Sequence, residues 1–259
     1  MPLEEIINRQ GIIISAPASG AGKTTVTLGL INAFARKGSV QPFKSGPDYI
    51  DSKFQSVAAD RPSYNLDTWA MSSSDILNMI GMVGPSDICI AEGSMGLFDG
   101  VISKGAGGNG STADLASITN WPVILVVDCA KQAQSVAALI TGFNSFRHDI
   151  TIGGVILNNI SSKRHEALVV SEVSKTKVPI LGVIPRSNEL TIPERHLGLV
   201  QAEDLSDLEQ LIFKLGTLIE ENCDLEAIAC TARNSFPPIS TLQKITPPAQ
   251  RIAIARDNA

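Results

Sequence analysis

The sequence predicts an α/β domain built on a doubly wound, mostly parallel sheet. Three observations carry that expectation. Short apolar, β-branched runs alternate with helical patterns almost to the end of the chain. The run VILVVD (123–128) is apolar throughout, as a strand covered on both faces requires. The first run feeds directly into a loop of small residues that opens a helix, an arrangement that gathers backbone N–H groups around an anion. In a sheet of this kind, ligands sit at the carboxyl ends of the strands.

The first strand spans Gly11–Ala16, and SAPASGAGKTT (Ser15–Thr25) leads from it into a helix over Thr24–Lys37. Gly20 and Gly22 let N–H groups converge on a polyanion without a Cβ in the way. Lys23 is placed to reach the β- and γ-phosphates of ATP, and the Thr24 hydroxyl to sit on Mg²⁺. Ser19, Ala21 and Thr25 complete the nucleotide-binding loop. One departure stands out: the strict phosphate-loop pattern has Gly where this chain has Pro17.

A strand over Val40–Lys44 runs into KSGPDYIDSKF, which carries Lys44, Asp48 and Asp51. After a helix over Ser74–Met82, the strand Asp87–Glu92 runs into AEGSMGLFDG, which carries Glu92 and Asp99. Carboxylates beside a phosphate loop can hold Mg²⁺ directly or through water, so Thr24, Asp48 and Glu92 are candidate metal ligands. Taken alone, Asp48 also fits a turn former in Gly46-Pro47-Asp48, and Glu92 a strand-terminal acid capping a nearby loop. GAGGNGSTADLA (Gly105–Ala116) reads as a mobile glycine loop ending in a Ser-Thr helix cap, either a linker or a lid over substrate.

The alternation continues through a helix over Thr112–Thr119, a strand over Val123–Asp128 and a helix over Ser135–Phe146. The strand Ile152–Leu157 follows, with Asn158-Asn159 after it, then a helix over His165–Lys175, a strand over Ile180–Ile184 and a last helix over Leu205–Asn222. Ser235–Gln250 is rich in Pro, Ser and Thr and reads as a linker. RIAIARDNA (Arg251–Ala259) looks like the opening strand of another domain. The expected division is therefore a domain over 1–234, a linker over 235–250 and a strand over 251–259.

An apolar fraction of 44% in 259 residues supports a well-buried core and excludes wholesale disorder. The net charge of −5 argues against nucleic acid as a partner. No basic segment followed by an apolar core opens the chain, and no apolar run reaches membrane-spanning length, so a cytoplasmic protein without a membrane partner is expected. Cys89, Cys129, Cys223 and Cys230 have no CxxC spacing, which speaks against metal or disulfide roles.

The motifs APASGAGKTTVTLGL, KSGPDYIDSKF, AEGSMGLFDG, GSTADLA, WPVILVVD, GVILNN and PILGVIPR, with the trailing IPERHLGLV, together resemble cobyrinic acid a,c-diamide synthases. The combination is most similar to the branch acting on hydrogenobyrinic acid, and runs in order from about Gly11 to Gln201. The resemblance implies a P-loop NTPase fold of the dethiobiotin-synthetase-like type. It also implies ATP-dependent amidation of the a and c acetate carboxylates of a corrinoid, hydrogenobyrinic or cobyrinic acid, by way of an acyl phosphate. By the same motifs, Lys23, Asp48 and Glu92 match catalytic positions, and Tyr49, Asp51 and Asp99 match positions near the substrate carboxylates.

Two departures accompany the resemblance. Asn159 stands where the family usually has Arg, and Ser52-Lys53-Phe54 where Pro and then an aromatic-His pair are typical. The family's second half is a glutamine amidotransferase, of which RIAIARDNA resembles only the first strand. None of the four cysteines lies on a strand-to-helix elbow, so this chain is not expected to hydrolyse glutamine. Ammonia or a separate glutaminase chain would supply the nitrogen, and a homodimer is compatible with the family. The alternatives are a nickel-sirohydrochlorin a,c-diamide synthase, a non-catalytic truncated relic, and a switch ATPase of the partition kind. Ala18 counts against the switch ATPase, because those proteins usually carry Lys there.

Overall fold

The computed structural model describes residues 9–187, 194–195, 198–199, 207–235, 249–251 and 253. In chain order the first half contains β1 (Arg9–Ser15), α1 (Lys23–Ala35), β2 (Val40–Ser45), α2 (Tyr49–Ala59), β3 (Tyr64–Leu66), α3 (Ser73–Met82), β4 (Ile88–Glu92) and α4 (Thr112–Thr119). The second half contains β5 (Val123–Asp128), α5 (Val136–Phe146), β6 (Ile152–Ile160), α6 (Lys163–Val173), β7 (Ile180–Pro185), β8 (Glu194–Arg195), β9 (Gly198–Leu199), α7 (Leu208–Asn222), α8 (Leu225–Thr231) and β10 (Arg233–Ser235).

The main sheet has the order β3-β2-β4-β1-β5-β6-β7, and every neighbouring pair along it is parallel. β10 pairs antiparallel with the first residues of β1, so the ordered sheet runs through Ser235, one residue beyond the expected domain edge. β8 and β9 form a separate antiparallel pair. From β1 the chain winds one way to β2 and β3, returns through β4, and winds the other way from β5. The crevice at the carboxyl end of β1 is therefore the topological switch point at which open α/β sheets bind ligands.

Strand side chains alternate between two cores, the period of two that a sheet buried on both faces requires. Ile13, Ala91, Val123, Leu125 and Val127 face the layer of α3, α4, α5 and α6. Ile12, Ile14, Ile90, Ile124 and Val126 face α1, α2, α7 and α8. Polar residues mark the helix starts: Ser72 and Asp75 form a capping box on α3, while Ser111, Ser162 and Asp224 cap α4, α6 and α8. α1 and α7 approach closely at Gly29, where a Cβ would stand 2.8 Å from the Leu215 carbonyl oxygen.

The predicted strands are present within a few residues of their expected bounds. Six elements were not anticipated: α2, β3, β8, β9, α8 and β10. The segment after β2, expected as an acidic turn, is a capped helix from Tyr49 onward. Ile252 and residues 254–259 of the expected final strand lie outside the described residues.

Candidate functional site

The loop after β1 rises over the switch point and enters α1 through Gly22, its N-cap. Gly20 (φ 79°) and Gly22 (φ 84°) both occupy the left-handed region, which costs other residues roughly 1–2 kcal/mol. A Cβ on Gly22 would overlap the Asn158 amide. Asn158, buried at the carboxyl end of β6, donates from Nδ2 to the Ala21 carbonyl at 3.0 Å and so ties the loop to the sheet. Just before Pro17, the Ala16 carbonyl accepts the Leu97 N–H at 2.8 Å. Like α5 and α7, α1 has no side chain capping its start. Its first N–H groups and positive dipole end are left for an anion.

Beneath this loop lies a buried charged cluster. Glu92, at the end of β4, is fully buried. Its Oε1 accepts the Thr24 hydroxyl at 2.7 Å and lies 3.2 Å from Lys44 Nζ, while Oε2 accepts Gln55 Nε2 at 2.8 Å. Lys44, at the end of β2 and also buried, pairs with Asp51 of α2. Burial alone would raise the Glu92 carboxyl, but Lys44, Lys23 and the Thr24 and Gln55 hydrogen bonds outweigh it and hold it below the ordinary value. Asp51 is pushed up to about 6, first by burial and then by Glu92. For Lys44, burial pulls down, yet Glu92 and Asp51 carry it above the ordinary lysine value. For Lys23, burial outweighs the pull of Glu92 and holds the ammonium below the ordinary lysine value, and Nζ donates to the Met95 carbonyl at 3.3 Å.

The structure brings Lys23, Thr24, Asp51 and Glu92 together through these contacts. Asp48 stands at the exposed edge of the cluster, where its Oδ1 accepts the N–H groups of Ile50 (2.9 Å) and Asp51 (3.3 Å) and caps α2. Tyr49 follows as the first residue of α2 and is exposed. Asp99 is exposed and folds its own loop by accepting the Gly96 N–H at 2.8 Å. Ser19 donates to the Met95 thioether at 3.6 Å. Asn159 holds a left-handed conformation (φ 60°), which asparagine tolerates better than most residues, and donates to Asp128 Oδ1 at 2.8 Å.

Sequence reasoning missed two participants. Gln55 lies one helical turn after Asp51, a spacing that puts both on one face of α2 once the helix is recognised. The tie from Asn158 to the phosphate loop joins residues far apart in sequence and has no local signal. The glycine loop, read from sequence as a mobile linker or lid, is hydrogen-bonded to the segment after β3. Ala106 N–H donates to the Trp69 carbonyl at 2.8 Å and Gly107 N–H to Thr68 at 3.0 Å, docking the loop on the segment after β3. A Cβ on Gly105 would overlap the Trp69 carbonyl, which explains the glycine there. Burial raises the Cys89 thiol to about 11 and the Cys223 thiol to about 12, so neither is a ready nucleophile.

Among the described residues, no group of three or more His, Cys, Asp and Glu side chains could hold a metal ion, and no helix is long and apolar enough to cross a membrane.

Comparison with known proteins follows the same lines. Curated relatives named hydrogenobyrinate a,c-diamide synthase include one from Rhodobacter capsulatus, 45% identical over 251 residues, which cover 96% of this chain and 58% of the relative. One from Brucella anthropi is 44% identical over 255 residues, with the same coverages of 96% and 58%. One from a Sinorhizobium species is 46% identical over 253 residues, covering 96% of this chain and 57% of the relative. The chain thus spans less than three fifths of the length of these relatives. A family model described as the CobQ/CobB/MinD/ParA nucleotide binding domain (CbiA) matches residues 12–200, the span that holds the phosphate loop, Lys44, Asp51 and Glu92. The chain belongs to that nucleotide-binding family.

Proposed function

We propose that this chain carries out ATP-dependent amidation of the a and c acetate carboxylates of a corrinoid, hydrogenobyrinic acid or cobyrinic acid, through an acyl phosphate. The observation that carries the reading is the cluster in which Thr24, Lys44 and Gln55 converge on the buried Glu92 directly under an uncapped helix start. The relatives named hydrogenobyrinate a,c-diamide synthase supply the substrate class.

In this reading Gly20, Ala21 and Gly22 present N–H groups to the phosphates, Ser19 and Thr25 flank them, and Lys23 leaves the Met95 carbonyl to pair with the γ-phosphate. The Thr24 hydroxyl and Glu92 carboxylate offer hard oxygens, and Mg²⁺ commonly takes only one or two protein ligands beside phosphates and water. Glu92 already accepts from Thr24, Lys44 and Gln55, so the Thr24 hydroxyl would hold the ion, with Glu92 and Asp48 supporting it through water. Bound there, the ion would neutralise charge building on the transferring phosphoryl group. The substrate carboxylate attacks the γ-phosphorus and ADP departs. Ammonia then adds to the acyl carbon, loses a proton and expels phosphate. Tyr49, Asp51 and Asp99 flank the carboxylate, and Asp51 is the group suited to accept the proton that ammonia sheds.

The test is turnover against affinity. With ammonium as nitrogen donor, Asp48→Asn and Glu92→Gln are expected to cut kcat for amide formation far more than they weaken ATP binding, as loss of transition-state interactions does. Wild-type turnover in both variants would return these residues to capping and packing roles.

A further inference from the structure

Half of the large apolar side chains that stand exposed among the described residues belong to one rim. Of ten, four fall in the loops that follow β3 and β4, namely Trp69, Met95, Val101 and Ile102, and a fifth, Tyr49, opens α2 just after β2. The others are scattered over β3, α3, α5, α6 and α7. Trp69 is 49% exposed and Ile102 fully so, whereas Trp121 is 1% exposed in the core. An exposed tryptophan among aliphatic neighbours, beside a polar site, marks a binding surface more often than chance.

Trp69, Met95, Val101 and Ile102 are tied into one wall, with Tyr49 just beyond the end of the adjacent strand β2. The glycine loop stitches its parts together, because Ala106 N–H donates to the Trp69 carbonyl at 2.8 Å and Val101 N–H to Asn109 at 2.9 Å. A Cβ on Gly110 would lie only 3.6 Å from Trp69 Cβ. At the other end, Lys23 holds the Met95 carbonyl, so the wall ends at the charged cluster itself. Met95 sits in the left-handed region (φ 49°), a costly conformation for an unbranched side chain that the surrounding contacts impose. The arrangement is an apolar rim beside the charged cluster, with Lys23 at its mouth and Lys44 buried beneath against Asp51 and Glu92.

We infer that this rim is the platform on which a flat, apolar macrocycle lies while a peripheral carboxylate reaches the mouth of the phosphate loop, with Trp69 and Ile102 bearing its face. The inference rests on the proposed corrinoid chemistry and adds the surface that chemistry requires. Such a macrocycle has the matching pattern, a broad apolar face edged by carboxylates. Neither a small acid, which would not use the rim, nor a protein segment, which would not need the phosphate loop beside it, matches both features.

The experiment is equilibrium dialysis of hydrogenobyrinic acid against the full chain, with ATP affinity measured on the same samples by calorimetry. Trp69→Ala and Ile102→Asp are each expected to weaken macrocycle binding about tenfold, the scale of a lost aromatic or aliphatic contact of this size. Trp69→Phe should retain most of the affinity, and ATP binding should be unchanged in all three. If wild type binds the acid and all variants bind it equally, the platform is wrong while the amidation reading stands. If wild type binds ATP but not the acid, both fall. Parallel losses of ATP affinity in Trp69→Ala and Ile102→Asp would show a merely structural role and overturn the platform. So would a concentration-dependent dimer, seen by light scattering, that Ile102→Asp breaks without changing macrocycle affinity.

Discussion

Gly22→Ala tests how the phosphate loop is held. The residue has φ 84°, and its missing Cβ leaves the space that the Asn158 amide fills. Two separable penalties follow. Holding alanine in the left-handed region costs about 1–2 kcal/mol. The new methyl must also push Asn158 away from the Ala21 carbonyl, which leaves buried polar groups unpaired at a cost of about 1–3 kcal/mol. The substitution should therefore destabilise the native chain by roughly 2–5 kcal/mol. In an Asn158→Ala background the methyl meets no amide, so only the backbone part, about 1–2 kcal/mol, should remain. Urea unfolding of the four proteins in the cycle should give a coupling of about 1–3 kcal/mol, well above the scatter for independent sites. Nucleotide affinity should fall in every variant, because the loop's N–H groups lose their fixed aim. Equal costs of Gly22→Ala in the two backgrounds would refute the claim that Asn158 pins the loop through that space.

Further expectations concern the charged cluster. Lys23→Ala should abolish ATP binding by calorimetry with far-UV dichroism retained, since the lysine is held by one carbonyl and its burial disfavours the charge. The pH dependence of stability should carry the mark of Asp51. Its folded value of about 6 exceeds the ordinary 3.8, so the folded chain holds that proton more tightly and stability falls as pH rises through 6. Glu92, held below its ordinary 4.5, works in the opposite direction at lower pH, which leaves roughly pH 4.5 to 6 as the window. Denaturant titrations there should show a decline in wild type and a flatter profile in Asp51→Asn; an unchanged slope would refute the assignment.

How much of this was legible depended on whether a residue's partners lay near it in sequence. β4, β5 and β6 announced themselves because strands buried on both faces must be apolar throughout. α1 was legible from Lys23-Thr24 following a glycine loop. α2 was hidden for a physical reason. Its buried face carries Asp51, Ser52 and Gln55 beside Phe54 and Ala58, so no apolar stripe reveals the helix. The same residues that obscure the helix build the site. β3 and β10, three residues each, are too short for any periodicity. Asp48 illustrates a dual reading: its local signal is that of a turn former, and the structure gives it the cap of α2, one turn from the cluster. The pairings of Glu92 with Thr24, Lys44 and Gln55 bridge β4 to α1, β2 and α2, and only the sheet order makes them neighbours.

In the proposed reaction a corrinoid carboxylate attacks ATP at this cluster and ammonia then displaces phosphate. Oxygen transfer tests it most directly. Hydrogenobyrinic acid labelled with heavy oxygen in its carboxylates would be incubated with the chain, ATP, Mg²⁺ and ammonium, and the released phosphate examined by phosphorus NMR. The account requires one heavy oxygen in the phosphate for each amide formed, and no transfer in Glu92→Gln beyond its residual turnover. Amide formed with unlabelled phosphate would contradict the acyl-phosphate route, and ATP consumed with neither label transfer nor amide would contradict the amidation itself.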